Sequence, residues 1–113
     1  MGIAALRGQS GKIYHFHICS VDDDLKDVGG VYALAKRIRG DDDKNFHRIY
    51  FFGYTSKLAE RVAKHRKNPQ IAKYDCDCVF IHLEENGKQR KEKYEDIRQN
   101  YNPEEKIIEQ ELK

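Results

Sequence analysis

The sequence predicts a small α+β domain, an antiparallel sheet flanked by helices, and three stretches of the chain predict it. Between Ile49 and Lys67 an apolar run rich in aromatic and β-branched residues breaks at Gly53. It restarts at Thr55 and Ser56 with a charged face, so a strand turns directly into a helix. Residues 12–21 alternate, with Tyr14, Phe16 and Ile18 on one side and His15, His17 and Cys19 on the other, as in a half-buried strand. A further apolar run, from Gly30 to Arg39, is separated from the first, which begins at Phe46 and ends at Gly53, only by the turn signal Gly40-Asp41-Asp42-Asp43. Strands joined that closely are expected to be antiparallel neighbours.

In chain order, residues 1–11 are small and glycine-rich, and a loose start is expected. The strand over 12–21 follows, then a polar loop opened by Asp22, Asp23 and Asp24 and closed by Gly29 and Gly30. After the strand pair comes the helix over 55–67, on which Leu58 and Val62 face inward while Arg61 and His65, four apart, share a different edge. Asn68-Pro69 stops that helix, and a short helical turn is expected over 69–74. Cys76 to Leu83 reads as a third core strand with Val79, Ile81 and Leu83 on one face. Asn86-Gly87 turns the chain into a helix from Gln89 to Tyr101 whose apolar stripe is Tyr94, Ile97 and Tyr101. Asn102-Pro103-Glu104-Glu105 has the form of an N-cap, a first-turn proline and an acidic capping residue, and predicts a terminal helix that buries Ile107, Ile108 and Leu112.

One domain, 1–113, accommodates all of this. The 113 residues are 39% hydrophobic and 35% charged, enough for a modest core under a very polar surface. No apolar run approaches the ~20 residues of a membrane span, and no signal-like segment opens the chain, so a cytoplasmic protein with no membrane partner is expected. Three cysteines, an odd number, are expected to be thiols. The net charge of +2 is too small to announce a nucleic-acid binder, so the distribution of charge decides. Lys57, Arg61, Lys64, Arg66, Lys67 and Lys73 gather from the first helix onward, and Lys88, Arg90, Lys91 and Lys93 open the later one. No nucleophile elbow, phosphate-binding glycine loop or Cys-x-x-Cys motif occurs.

Gly30-Val31-Tyr32, Phe51-Phe52-Gly53, and then Leu58, Arg61 and His65 resemble the GIY-YIG nuclease family in order and spacing, over about Gly30 to Pro103. The resemblance implies a small antiparallel sheet with the order strand, strand, helix, short helix, strand, helix, to which this chain adds an N-terminal strand and a C-terminal helix. It also implies a divalent cation, magnesium or manganese, held by a helical glutamate, a tyrosine that helps activate water, and a helix arginine that stabilises charge on the phosphate. Carried over residue by residue, Tyr32 is the tyrosine, Arg61 the arginine, and His65 a further polar group at the cleft; the basic run around them offers Lys57, Lys64, Arg66 and Lys67 as flanking phosphate contacts.

Three positions depart from that pattern. The tyrosine of the second triplet is Phe51, and Tyr50, as its strand neighbour, is expected to point to the opposite face. Counting nine residues back from Pro103 puts Tyr94 where the glutamate belongs, with Ile97 in the aliphatic position, and a shifted register would offer Glu95 to the ion instead. Lys106 stands where an asparagine is often found. These departures predict a nucleic-acid-binding domain whose phosphodiester hydrolysis is weakened or lost. The competing reading is a catalytically inactive protein-interaction module on the same fold, serving a protein partner or a homodimer. A third is a zinc site: His15-x-His17 and Cys76-x-Cys78 each put two ligands on one strand face, and a Cys₂His₂ set forms if those strands are adjacent.

Overall fold

The computed structural model describes residues 2–39 and 45–101. The Gly40–Asp43 turn and the terminal helix expected beyond Asn102, with Pro103 and Lys106, lie outside the described residues. Five strands form one antiparallel sheet in the order β1-β2-β5-β3-β4: β1 (Ile3–Arg7), β2 (Ile13–Ser20), β3 (Gly30–Arg39), β4 (Asn45–Thr55) and β5 (Cys78–Leu83). The helices are α1 (Leu58–Lys67), the single turn α2 (Pro69–Ala72) and α3 (Gly87–Asn100). Among the described residues, no helix is long and apolar enough to cross a membrane.

From Gly30 onward the order of elements is the one expected, and β3 and β4 are antiparallel neighbours over their whole length. The start of the chain is not loose, which corrects the expectation for residues 1–11. Ile3–Arg7 pairs with β2 from Ile3↔His17 to Arg7↔Ile13, and the turn between them closes with Gly8 N–H donating to the Lys12 carbonyl at 2.8 Å. Gly11, at φ +93°, supplies the left-handed step that this turn needs. The added N-terminal part is therefore a hairpin rather than one strand, and Leu6 anchors it in the core.

β5 lies between β2 and β3, and Cys78, Val79, Phe80 and Ile81 are all buried, as a strand covered on both faces requires. On one face Phe16, Val31, Ala33, Phe52 and Phe80 pack around Ile97 of α3. On the other, Tyr32, Leu34, Phe51, Val79 and Ile81 pack under Leu58 and Val62 of α1. The stripe expected on α3 is the one that docks, with Ile97 fully buried and Tyr94 and Tyr101 half-buried beside it. Tyr101 touches both edges of the sheet: its ring lies 5.8 Å from that of Phe52 on β4, and its hydroxyl accepts from the Arg7 N–H on β1 at 3.3 Å. The sheet thus curls around α3, and α1 covers only part of the convex side. Leu83 alternates with Val79 and Ile81 as expected, but stands 51% exposed, beyond the reach of α1.

One irregularity changes which residues share a face. The β3–β4 register shifts after Leu34↔Phe51, the next pair being Ala35↔Ile49, so Tyr50 is an extra residue in a β-bulge. Tyr50 and Phe51 therefore both turn to the α1 side, contrary to the alternation expected of neighbouring strand residues. Tyr50 stacks on Tyr74 at 4.8 Å and 27°.

Candidate functional site

Tyr32 leaves β3 opposite Gly53 on β4, and its ring lies across that glycine. Gly53 is thus an interior strand residue, and β4 runs on to Thr55 before the helix starts. The Tyr32 hydroxyl meets His65 Nε2 at 2.5 Å, and both residues are essentially solvent-free, Tyr32 at 0% and His65 at 1% exposure. Phe51 closes the pair off from water, its ring 4.9 Å from the His65 ring and 6.1 Å from that of Tyr32.

Burial pushes the Tyr32 hydroxyl well above its ordinary pKa, with the Arg61 guanidinium opposing that rise by charge and by hydrogen bonding. Burial, reinforced by the charge of Arg61, lowers His65 to about 4. At neutral pH the imidazole is uncharged, and its Nε2 shares one hydrogen bond with the tyrosine hydroxyl. His65 Nδ1 has no partner among the described residues.

Leu58, Val62 and His65 form the buried stripe of α1. His65 therefore does not share an outer edge with Arg61, which corrects the expectation; it joins the apolar stripe because Tyr32 offers a partner inside the core. Arg61, half-buried, stands at the boundary between that pair and solvent. The first donors of α1 are already taken. Leu58 N–H bonds the Val28 carbonyl at 2.9 Å, and Glu60 N–H bonds Asp27 Oδ1 at 3.3 Å, so the loop after β2 caps the helix with a carboxylate.

Beside that end lies an open cavity of about 130 Å³ lined by Thr55, Ser56, Lys57, Glu60, Arg61 and Lys64. At ~100° per residue, Lys57, Arg61 and Lys64 fall within about 60° of arc. Glu60 reaches Lys57 at 3.9 Å and Lys64 at 3.8 Å, with every partner at least half exposed. Such contacts contribute about 0–1 kcal/mol and yield readily to a stronger anion.

The other cations expected at the site go elsewhere. Arg66 turns away from Arg61 by about 140° and binds Asp22 at 2.7 Å, on the first of the loop aspartates. Lys67 is exposed and lies roughly 120° from Arg61 in the other direction. Lys73 sits over the Tyr74 ring, 5.0 Å from its centroid. In the second cluster Arg90 is buried, at 8% exposure: Nη1 donates to the Thr55 carbonyl at 3.1 Å and Nη2 to that of Glu85 at 3.4 Å. Lys93 bonds Glu84 at 2.7 Å and His82 Nε2 at 3.0 Å. Only Lys88 and Lys91 of that group stand exposed.

The residues present do not fit a divalent cation of the nuclease kind. Tyr94 occupies the position counted for the carboxylate and packs on Tyr54, with ring centroids 4.8 Å apart. Glu95 is exposed on α3, away from the buried stripe. Among the described residues no three His, Cys, Asp or Glu side chains group to hold a metal. The Cys₂His₂ arrangement fails as well. β2 and β5 are adjacent, but Cys78 lies opposite Ser20 in the core beside Phe16, on the face away from His15 and His17. All three cysteines are free.

Sequence reasoning missed the two residues that fix the site's surroundings. Asp27 is a capping carboxylate placed by a loop, and Arg90 is a core arginine in a run of surface cations. For Arg90 the only local sign is its helix phase with Tyr94 and Ile97, four and seven residues on. Comparison of the chain with protein-family models, with curated protein sequences and with solved structures gives no match.

Proposed function

We propose that the chain is a nucleic-acid-binding domain that holds a backbone phosphate at the Lys57–Arg61–Lys64 edge of α1 and does not cut it. The cavity beside Arg61 carries this reading: three cations converge there on two hydroxyl-bearing residues, Thr55 and Ser56, against one weakly held glutamate. A half-buried guanidinium beside Tyr32 and two exposed ammonium groups suit an anion with several oxygens. The order of elements from β3 to α3 and the spacing of Tyr32, Gly53 and Arg61 add the GIY-YIG resemblance in support.

Silence as a nuclease follows from the chemistry of the same residues. Tyr32 and His65, the proton-transfer pair beside Arg61, are both shut from water, so neither reaches an attacking nucleophile. The position counted for a metal carboxylate holds Tyr94. The test uses labelled single- and double-stranded DNA and RNA with magnesium or manganese, for the wild type and Arg61→Ala. Binding that weakens with salt and with the substitution, without cutting, is the expected result. Metal-dependent cutting that the substitution abolishes would overturn the silent reading, and absence of binding would favour a protein-interaction module.

A further inference from the structure

We propose that His15 and His17 are half of a zinc site, completed by the same two residues of a second copy of this chain. The inference is independent of nucleic-acid binding and rests on the convex side of the sheet. There the cluster under α1 takes in β3, β4, β5 and the end of β2 at Cys19 but leaves out His15 and His17. His15 and His17 alternate outward from β2, both exposed, while Tyr14, Phe16 and Ile18 between and beside them are buried on the α3 side. Residues two apart on a strand stand about 7 Å apart at Cα with parallel side chains, a spacing from which two imidazoles close on one ion.

Neither imidazole bonds another described side chain, so both ring systems are available. Among the described residues no third ligand joins them, since no group of three metal-binding side chains exists there. Cys19, next in the row, is half-buried and packs against the core under α1. Zinc in a structural site takes four ligands in a tetrahedron, so one chain fills half of the shell and leaves two positions.

A second copy related by a two-fold axis supplies those two from the same surface. The surroundings favour that occupant. Ile3 pairs with His17 and Ala5 with His15 across the hairpin, and Ile3 (64% exposed), Ile13 (52%) and Leu83 alternate onto this same face. Two such faces brought together by the ion cover each other's aliphatic side chains, which an isolated bidentate site leaves in water.

Tag-free protein, stripped with chelator and titrated with zinc, is followed by sedimentation velocity and by metal analysis after buffer exchange. The expected result is an increase in mass of about twofold, reversed by chelator, with one ion per two chains. His15→Ala and His17→Ala each abolish the increase while the circular dichroism spectrum stays that of the wild type, both positions being on the surface. A mass unchanged by zinc, an ion bound per chain without association, or association that persists in both variants would overturn the proposal.

Discussion

The Tyr32 hydroxyl occupies the space that a side chain on Gly53 would need: a Cβ there would lie 2.5 Å from the oxygen and 2.6 Å from the ring carbon that bears it. The small cross-strand neighbour lets the ring lie down over β4 and reach His65 on α1. This contact adds a polar joint to the apolar packing of Leu58 and Val62 between the sheet and the helix that carries Arg61.

Gly53→Ala is accordingly expected to destabilise the fold by about 1–3 kcal/mol, the usual range for an overpacked core. Tyr32→Phe should not rescue it, because ring carbons at 2.6 and 2.9 Å remain in the way after the oxygen is gone. Urea midpoints of the two single variants and the double variant decide this. A double variant as stable as Tyr32→Phe alone would mean that the ring does not rest on the glycine.

His65 gives the fold a pH dependence with a definite sign. Its folded pKa, about 4, lies below the 6.5 of a free histidine, so the unfolded chain binds the extra proton first. Stability is complete above pH 6.5, falls as the pH drops through the interval, and levels off below about 4. The total loss is roughly 3 kcal/mol for a shift of this size. Unfolding free energies at pH 7 and pH 5 should differ in the wild type and differ less in His65→Leu. Equal slopes in the two proteins would remove His65 as the source.

Arg90 belongs to the core rather than to the basic surface. Arg90→Ala strands the Thr55 and Glu85 carbonyls and should cost about 1–3 kcal/mol, whereas Lys91→Ala, at an exposed position, should stay within about 0.5 kcal/mol. Gly29 packs directly on the guanidinium, a Cβ there lying 2.7 Å from Nη1, so Gly29→Ala should disturb the same joint. Thermal or urea unfolding of the three variants gives the ranking.

Asp96 fastens the N-terminal hairpin to α3. Its carboxylate accepts from Ser10 N at 2.8 Å, Ser10 Oγ at 2.6 Å and the Tyr14 hydroxyl at 2.7 Å, and burial together with this carboxylate pushes Tyr14 up to about 12. Asp96→Ala should loosen the hairpin, costing about 1–2 kcal/mol because the half-buried carboxylate accepts three hydrogen bonds that water replaces only in part. Amide exchange should quicken in β1 and the Gly8–Gly11 turn while β5 stays protected.

The alternation of Tyr14, Phe16 and Ile18, the closely joined pair β3–β4 and the stripe on α3 were legible because each is local and periodic. β1 was not, because its short, glycine-flanked run gains its partner only when β2 is in place. Tyr50 was misassigned for a related reason: a bulge is a property of two strands in register, and a single strand read alone predicts strict alternation. His65 looked like a surface group because its helix phase had to be weighed against its polarity, and the deciding fact, a tyrosine hydroxyl 33 residues away, is tertiary. Charge runs mislead in the same way. Arg66 in the first basic group and Arg90 and Lys93 in the second read as surface cations, yet each finds a partner outside its own helix.

A phosphate held by Lys57, Arg61 and Lys64 is read most directly from the affinity for a labelled nucleic acid at rising salt. Lys57→Ala/Lys64→Ala leaves the buried pair untouched and should reduce the slope of log affinity against log salt by about 1–2, with Arg61→Ala removing about 1 more. Lys88→Ala/Lys91→Ala should leave the slope nearly unchanged. A slope unaffected by the α1 substitutions but lowered by those on α3 would overturn the assignment to α1 and place the phosphate contacts on the other helix.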